Sequence, residues 1–354
     1  VSHSHVRRPF ARLPDGSLVE SVTLSNDSGL SVTIITLGAT LQSVLVPGRN
    51  GAIEDVVLGH DDIAPYLSRP HYFGATIGRV ANRIAEGRFW LDGTPYRVTP
   101  NNGPNALHGG QDGFDRRNWK ISDNSDDADR EVTLTLESPD GDQGFPGTLN
   151  VSATYRLDQT TLSIRYRATT DKPTLVNITN HTYWNLGGIA APERALQQNL
   201  LIPADIYLPV DQVAIPTGEF RAVEGTAFDF RTPSPIGARL RNAEDAQLRL
   251  QQGYDHNWAV DHRRAEKPRL LARLEDTVSG RVLEVLSTEP GVQFYSGNFL
   301  DGTLGGKRDL LYRQGDGIAL EPQMFPDAPN QPEFGSIRLD PAEVYDHRMI
   351  FRFS

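Results

Sequence analysis

Two stretches of this 354-residue chain carry side chains suited to moving protons. The first, IALEPQMFP from Ile318 to Pro326, sets one carboxylate, Glu321, between an apolar strand-like run and a turn-forming proline. The second, TNHTYWNL from Thr179 to Leu186, sets His181 among aromatic and amide side chains. A carboxylate accepts a proton, and imidazolium is the one side chain whose unperturbed pKa lets it give and recover a proton near neutrality. A third stretch, NALHGG from Asn105, puts His108 beside Gly109 and Gly110, where the backbone can come close to a ligand. Each residue also has an ordinary reading. A Glu at a strand end is commonly exposed, and a single His on a β-rich segment commonly serves structure.

Together with GRVANRI from Gly78, these stretches resemble the aldose 1-epimerases, the galactose mutarotases that interconvert the anomers of free sugars. The matching motifs run in family order from residue 74 to residue 334, and TNHTYWNL is the most specific of them. The resemblance implies that Glu321 is the base, His181 the principal acid, and His108 a hydrogen-bonding partner near the ring oxygen, with the division of the acid role between the two histidines left open by the sequence. It implies that Asn82 and Arg83 clamp sugar hydroxyls, as an amide and a fixed guanidinium fork can do. Asp255, in YDHNW, maps to a residue that accepts from a hydroxyl, and Gln293, in GVQFYSGNFLDG, to a binding residue. Trp184, Trp258, Phe294 and Phe325 could stack on the apolar face of a pyranose, but most aromatics in a β protein are core, so at most one or two of them are expected to touch the sugar.

The chemistry implied is modest in its needs. One proton leaves the C1 hydroxyl, one arrives at the ring oxygen, the ring opens, and rotation about C1–C2 exposes the other face before closure. No metal, nucleotide or other cofactor is called for. The pH dependence expected is bell-shaped, with Glu321 protonating on the acidic limb and His181 deprotonating on the basic limb. Three other readings compete. A hexose-6-phosphate epimerase would need extra basic residues, and no Arg cluster flanks the motifs. A glycoside hydrolase would pair Glu321 with Asp255 at about 5–5.5 or 6.5–9.5 Å. A non-catalytic sugar-binding protein would not need Glu321, His181 and His108 together.

Composition narrows the partners. A formal net charge of -10 disfavours nucleic acid and anionic membrane surfaces, both of which attract concentrated positive charge. With no cysteine, disulfides and thiolate chemistry are excluded, and any metal would need His or carboxylate ligands. None is expected: of the 9 histidines, His3 and His5 sit in a terminal run, and Asp255-His256 is too local to make a site. No 18-residue apolar run exists to span a membrane. The chain starts at Val1 without a signal-like apolar segment, so a cytoplasmic location is expected, with a periplasmic one if the initiator Met was lost by processing. A monomer or weak dimer is expected.

The elements that must position these residues read as β throughout. Apolar and polar residues alternate at 132–136, 149–157 and 162–166, the signature of consecutive antiparallel strands. Asp92-Gly93 and Asn50-Gly51 mark hairpin turns. Only residues 61–67 and 192–199 read as short helices, and the acidic run SDNSDDADRE from Ser122 reads as a solvated loop. The expected fold is all-β, one antiparallel β-sandwich domain over residues 11–354, with residues 1–10 a poorly ordered extension; the resemblance implies the mutarotase-like super-sandwich, with a carbohydrate cleft across one sheet.

Overall fold

The computed structural model describes residues 2–68, 71–122, 127 and 129–354. Three antiparallel sheets dominate, so the all-β expectation holds. A five-stranded meander runs His3–Arg12, Leu18–Asn26, Ser31–Ile35, Thr40–Pro47 and Ile53–Asp55. A nine-stranded sheet contains the predicted consecutive strands Glu131–Ser138, Leu149–Leu157 and Thr161–Thr170, followed in space by Tyr345–Phe353 and Val282–Ser287. A six-stranded sheet is ordered Tyr183–Trp184, Ile318–Gln323, Gly291–Tyr295, Asp255–Ala259, Ile206–Leu208 and Arg221–Ala222. One large apolar cluster joins all three, with Val44 from the first, Tyr155 and Phe351 from the second, and Trp258 and Phe294 from the third.

Alternation explains the outer strands. Leu149, Val151, Ala153, Tyr155 and Leu157 are buried while the intervening residues face outward, as a period of two requires. The Asp92-Gly93 turn closes a hairpin in which Leu91 pairs with Thr94. The short-helix expectations correspond to an α-helix at Ile63–Ser68 and a 3₁₀ helix at Pro192–Gln197. Half of the acidic run beginning at Ser122 lies outside the described residues.

The N-terminal segment differs from expectation. His3–Arg12 is the outer strand of the meander, paired along its length with Leu18–Asn26 and tied by an Arg7–Glu20 ion pair at 2.8 Å. Neither face of this edge strand enters the main core, so its residues carry no apolar alternation to read.

The six-stranded sheet departs from simple alternation, because every residue of Gly291–Tyr295 and Ile318–Gln323 is buried. Trp184, Trp258, Val292, Phe294, Ile318 and Leu320 point into the main core. Tyr183, Asp255, Gln293, Tyr295 and Glu321 point the other way. Tyr72, Asn82, Arg83 and His108 lie across that second face. Lys307 pins a neighbouring hairpin, Asp301–Gly305 with Leu311–Arg313, onto the meander: its Nζ donates to Asp55 Oδ2 at 2.8 Å and to the Val57 carbonyl at 2.9 Å.

Candidate active site

Two short strand pairs bring the chemical residues onto the polar face of the six-stranded sheet. Thr179–Asn180 pairs with Thr76–Ile77, and His181 is fixed there from both sides: its N–H donates to the Ala75 carbonyl at 2.9 Å, and its carbonyl accepts from Gly74 at 3.0 Å. Gly74 has φ +68°, and a Cβ on it would stand 2.1 Å from the Leu41 carbonyl oxygen. Arg83–Ile84 pairs with Ala106–Leu107, which sets Asn82 against His108. Those two residues bond reciprocally. The His108 N–H donates to the Asn82 carbonyl at 2.9 Å, and the Asn82 N–H donates to His108 Nδ1 at 3.1 Å. Both hold positive φ, 62° and 52°, a costly conformation outside glycine that gathers at functional sites.

Glu321 and His181 meet at the floor of a cavity of about 180 Å³. His181 Nε2 is 3.5 Å from Glu321 Oε1, and the two side chains are 6% and 2% exposed. The His108 ring stands edge-on to His181 with centroids 5.1 Å apart. Register supplies the remainder: Gln293 lies opposite Glu321, and Asp255 opposite Tyr295. Gln293 Nε2 donates to Asp255 Oδ1 at 2.9 Å, and Arg83 Nε donates to Asn102 Oδ1 at 2.9 Å. Glu321, His181, His108, Asn82, Arg83 and Asp255 all line the cavity, and Gln293 stands behind Asp255.

The sequence model for aldose 1-epimerase matches residues 20–352. The chain belongs to the aldose 1-epimerase family. It is therefore an isomerase that interconverts the anomers of aldoses. It is 46% identical to a galactose mutarotase of Bos taurus over 99% of each chain, and 40% identical to an aldose 1-epimerase of Escherichia coli K12 over 97% of each. Among solved structures, the galactose 1-epimerase of Lactobacillus acidophilus superposes with a TM-score of 0.84 at 32% identity, covering 100% of this chain and 99% of that one.

This aldose 1-epimerase site departs from the sequence expectation in its aromatic walls. Trp184, Trp258 and Phe294 are fully buried on the opposite face of the sheet, in the main core, and Phe325 packs in a second apolar cluster, so none of the four lines the cavity. The walls are instead Tyr72, Tyr183, Tyr295 and Phe299. Tyr72 sits over both histidines, with centroids 4.6 Å from His108 and 5.7 Å from His181. Tyr183, inside the recognised motif, stacks on His181 at 5.0 Å. Tyr72 adjoins the Phe73-Gly74 turn beneath His181, and no spacing rule flags it in advance.

The first arginine of GRVANRI has another task. Arg79 is 2% exposed, and its guanidinium donates to six acceptors: the Ser138 hydroxyl and carbonyl, the Pro139, Pro146 and Gly147 carbonyls and the Thr174 hydroxyl. Burial brings it down to about 10, still charged at neutrality. It ties the 138–147 loop beneath the motif. The glycines on either side allow close approach, since a Cβ on Gly109 would fall 2.0 Å from the Gly78 carbonyl oxygen.

Burial acts oppositely on the two central groups, because it disfavours whichever form is charged. It pushes Glu321 well above the ordinary carboxylate value, the Asp255 charge pushing the same way and Arg83 opposing. It brings His181 down to about 4. His108 is also held well below 6.5, first by burial and then by His181 and Arg83. Asp255 is raised by burial against the pull of Arg83 and Gln293. Since His108 Nδ1 accepts a backbone N–H, its neutral ring carries the proton on Nε2. His108, His181 and Glu321 also hold one ligand-type atom each within 4.8 Å of one another. They fit a metal poorly: ligation by His108 Nε2 would require moving its proton to Nδ1, against the Asn82 N–H.

Proposed function

We propose that this enzyme acts on free aldohexoses such as galactose and glucose, with Glu321 as the base and His181 as the acid. The observation that carries this reading is the 3.5 Å approach of His181 Nε2 to Glu321 Oε1 in a buried cavity. A hemiacetal's hydroxyl oxygen and ring oxygen are both bonded to C1, so the groups that serve them must themselves be neighbours. Glu321 takes the C1 hydroxyl proton while His181 gives one to the ring oxygen. The ring opens to the aldehyde, C1–C2 rotates, and the same transfers in reverse close the other anomer.

Between them the pair holds one exchangeable proton. In the empty cavity burial places it on Glu321, leaving two neutral groups. A bound sugar favours the other tautomer: its C1 hydroxyl donates to the carboxylate and its ring oxygen accepts from the imidazolium, replacing the hydration both ions lack. The acidic limb of the profile then reports a second proton reaching the pair at His181, and the basic limb reports the loss of the last one from Glu321. This reverses the assignment expected from unperturbed values. His108, with its proton fixed on Nε2, donates a hydrogen bond without changing its own charge. That separates its role from that of His181.

The cavity supports an unphosphorylated sugar. Its one guanidinium, Arg83, is outnumbered by the carboxyl groups of Asp255 and Glu321, a poor setting for a phosphate dianion. A volume of about 180 Å³ suits one pyranose, below the 300–1,000 Å³ common for larger ligands. Polarimetry of freshly dissolved α-galactose and α-glucose tests the proposal. Acceleration of both, with glucose 6-phosphate left at its spontaneous rate, is expected; preference for the phosphorylated sugar would overturn it.

A further inference from the structure

Below the cavity floor lies a set of polar atoms that the acid–base chemistry leaves unused. Asn257, Gln293 and Glu321 stand in register across three neighbouring strands, and Gln323 follows Glu321 on the same face. All four are 3% exposed or less. Asn257 Oδ1 and Nδ2, Gln293 Oε1, Glu321 Oε2 and Gln323 Oε1 are buried, and no protein atom hydrogen-bonds them. Their remaining atoms are committed: Gln293 Nε2 donates to Asp255, Gln323 Nε2 donates to the Met324 carbonyl, and Glu321 Oε1 faces His181.

The tally is lopsided. Three amide oxygens only accept, Glu321 Oε2 accepts once its carboxyl is ionised, and one amide nitrogen donates, so rotating or flipping side chains cannot satisfy the group. Leaving such atoms unpaired typically costs about 1–3 kcal/mol each, which points to an occupant rich in donors. The neighbouring Gly291, having no Cβ, lets the Asn257 side chain lie close over its strand. A Cβ there would stand 2.5 Å from Asn257 Oδ1 and 3.1 Å from the Gln323 carbonyl oxygen. Water fits this chemistry, being small, able to donate twice, and usually bound in protein interiors by about three polar partners.

We propose that Asn257 and Gln323 are positioning residues which, with Gln293, hold buried water against Oε2 of Glu321 and so leave Oε1 alone to meet the sugar. The inference rests on Glu321 being the base. The water donates to the carboxylate, offsetting part of the burial that otherwise keeps it protonated, and it fixes the plane of the carboxyl group. Without it, the pair's shared proton stays on Glu321 more firmly. Turnover falls and the basic limb moves to higher pH.

The test compares kcat, KM and their pH dependence for galactose in the full-length wild type, Asn257→Leu and Asn257→Ser. Leu fills the space without polarity, whereas Ser restores a hydroxyl and leaves room for a second water. Asn257→Leu should lower kcat roughly 10- to 100-fold, as expected for a lost hydrogen bond to a charged group, with KM nearly unchanged and the basic limb displaced upward. Asn257→Ser should recover most of kcat and return the limb. If Asn257→Leu keeps the wild-type profile while Glu321→Gln is inactive, this inference fails and the assignment of the base survives. If Glu321→Gln remains active, that assignment itself is wrong. Should Asn257→Leu not fold, a high-resolution crystal structure of the wild type decides: ordered water against Glu321 Oε2 supports the inference, and its absence between Asn257 and Glu321 overturns it.

Discussion

On the proposed mechanism, replacing Glu321 by Gln should cost more than one catalytic group, because base and acid share one proton and act as a unit. A positioned general base typically supplies about 10²- to 10⁴-fold, or roughly 3–5 kcal/mol at 1.36 kcal/mol per factor of ten. Glu321→Gln also removes the carboxylate that His181 needs as a counter-charge. With burial holding His181 at about 4, only about one ring in 10³ is protonated at pH 7. The loss at pH 7 should therefore lie near the upper end, about 10⁴-fold. Residual activity, after subtraction of the spontaneous rate, should rise about tenfold for each pH unit between 7 and 4 as His181 recovers its proton. Polarimetry of α-galactose from pH 4 to 9 measures both. The fold should not suffer. The folded-state pKa of Glu321 lies above its unfolded value, so the ionisation of the unfolded chain erodes stability as pH rises from about 4.5 toward the folded pKa. Gln carries no such cost, and the variant should melt at or above the wild-type temperature at pH 7. A variant within tenfold of wild type at pH 7, or one whose residual activity is flat with pH, would refute the reasoning.

Other expectations follow from the same geometry. His181→Asn should flatten the acid limb of stability: the folded pKa of about 4 against 6.5 unfolded means stability is lost as pH falls through that interval, by about 3 kcal/mol, and urea titrations at pH 7 and pH 4 should show the difference shrink by that amount. Gly109→Ala combines φ +88° with a 2.0 Å clash against the Gly78 carbonyl oxygen, so it should destabilise by at least about 1–3 kcal/mol and displace His108, seen as a lower Tm together with a lower kcat. Lys307→Met leaves Asp55 buried without its cation; a loss of about 3–5 kcal/mol in denaturant unfolding is expected, reduced by the donors that Ser43, Val44 and Val57 still give that carboxylate. No measurable destabilisation would mean that Lys307 does not pin the hairpin.

The outer strands were legible because one face is wet. Alternation at 149–157 marks a strand whose polar residues meet solvent, and the Asp-Gly turn at 92–93 marks a hairpin because its φ requirement is local. The cavity floor was not legible that way. Ile318–Gln323 is buried on both faces, so Leu320 and Glu321 give no periodic clue to which side is core. The motifs that carry the resemblance contribute polar residues to the cavity lining, whereas the tryptophans expected at its walls lie elsewhere. Trp184 and Trp258 look suited to a sugar face, yet each occupies the strand face that points inward, opposite to Tyr183 and Asp255. One residue of register separates the two outcomes. Tyr72 escaped because it is positioned by backbone bonds around Gly74 that leave no spacing pattern. What distinguishes the two histidines is the Asn82 N–H that fixes the proton of His108, a contact with no counterpart in the sequence pattern.

A strand that hands Leu320 to the interior and Glu321 to the cavity has little freedom along its length. Trimming a large apolar side chain in such an interior commonly costs about 2–5 kcal/mol, and here the resulting shift is passed directly to the neighbouring reactive group. Variants that trade bulk at Phe294 or Leu320 should therefore reveal themselves as altered turnover before they reveal themselves as poor folders. Diversification of sugar preference is better sought at the rim, where Phe299 is 53% exposed and stacks on the Tyr295 wall.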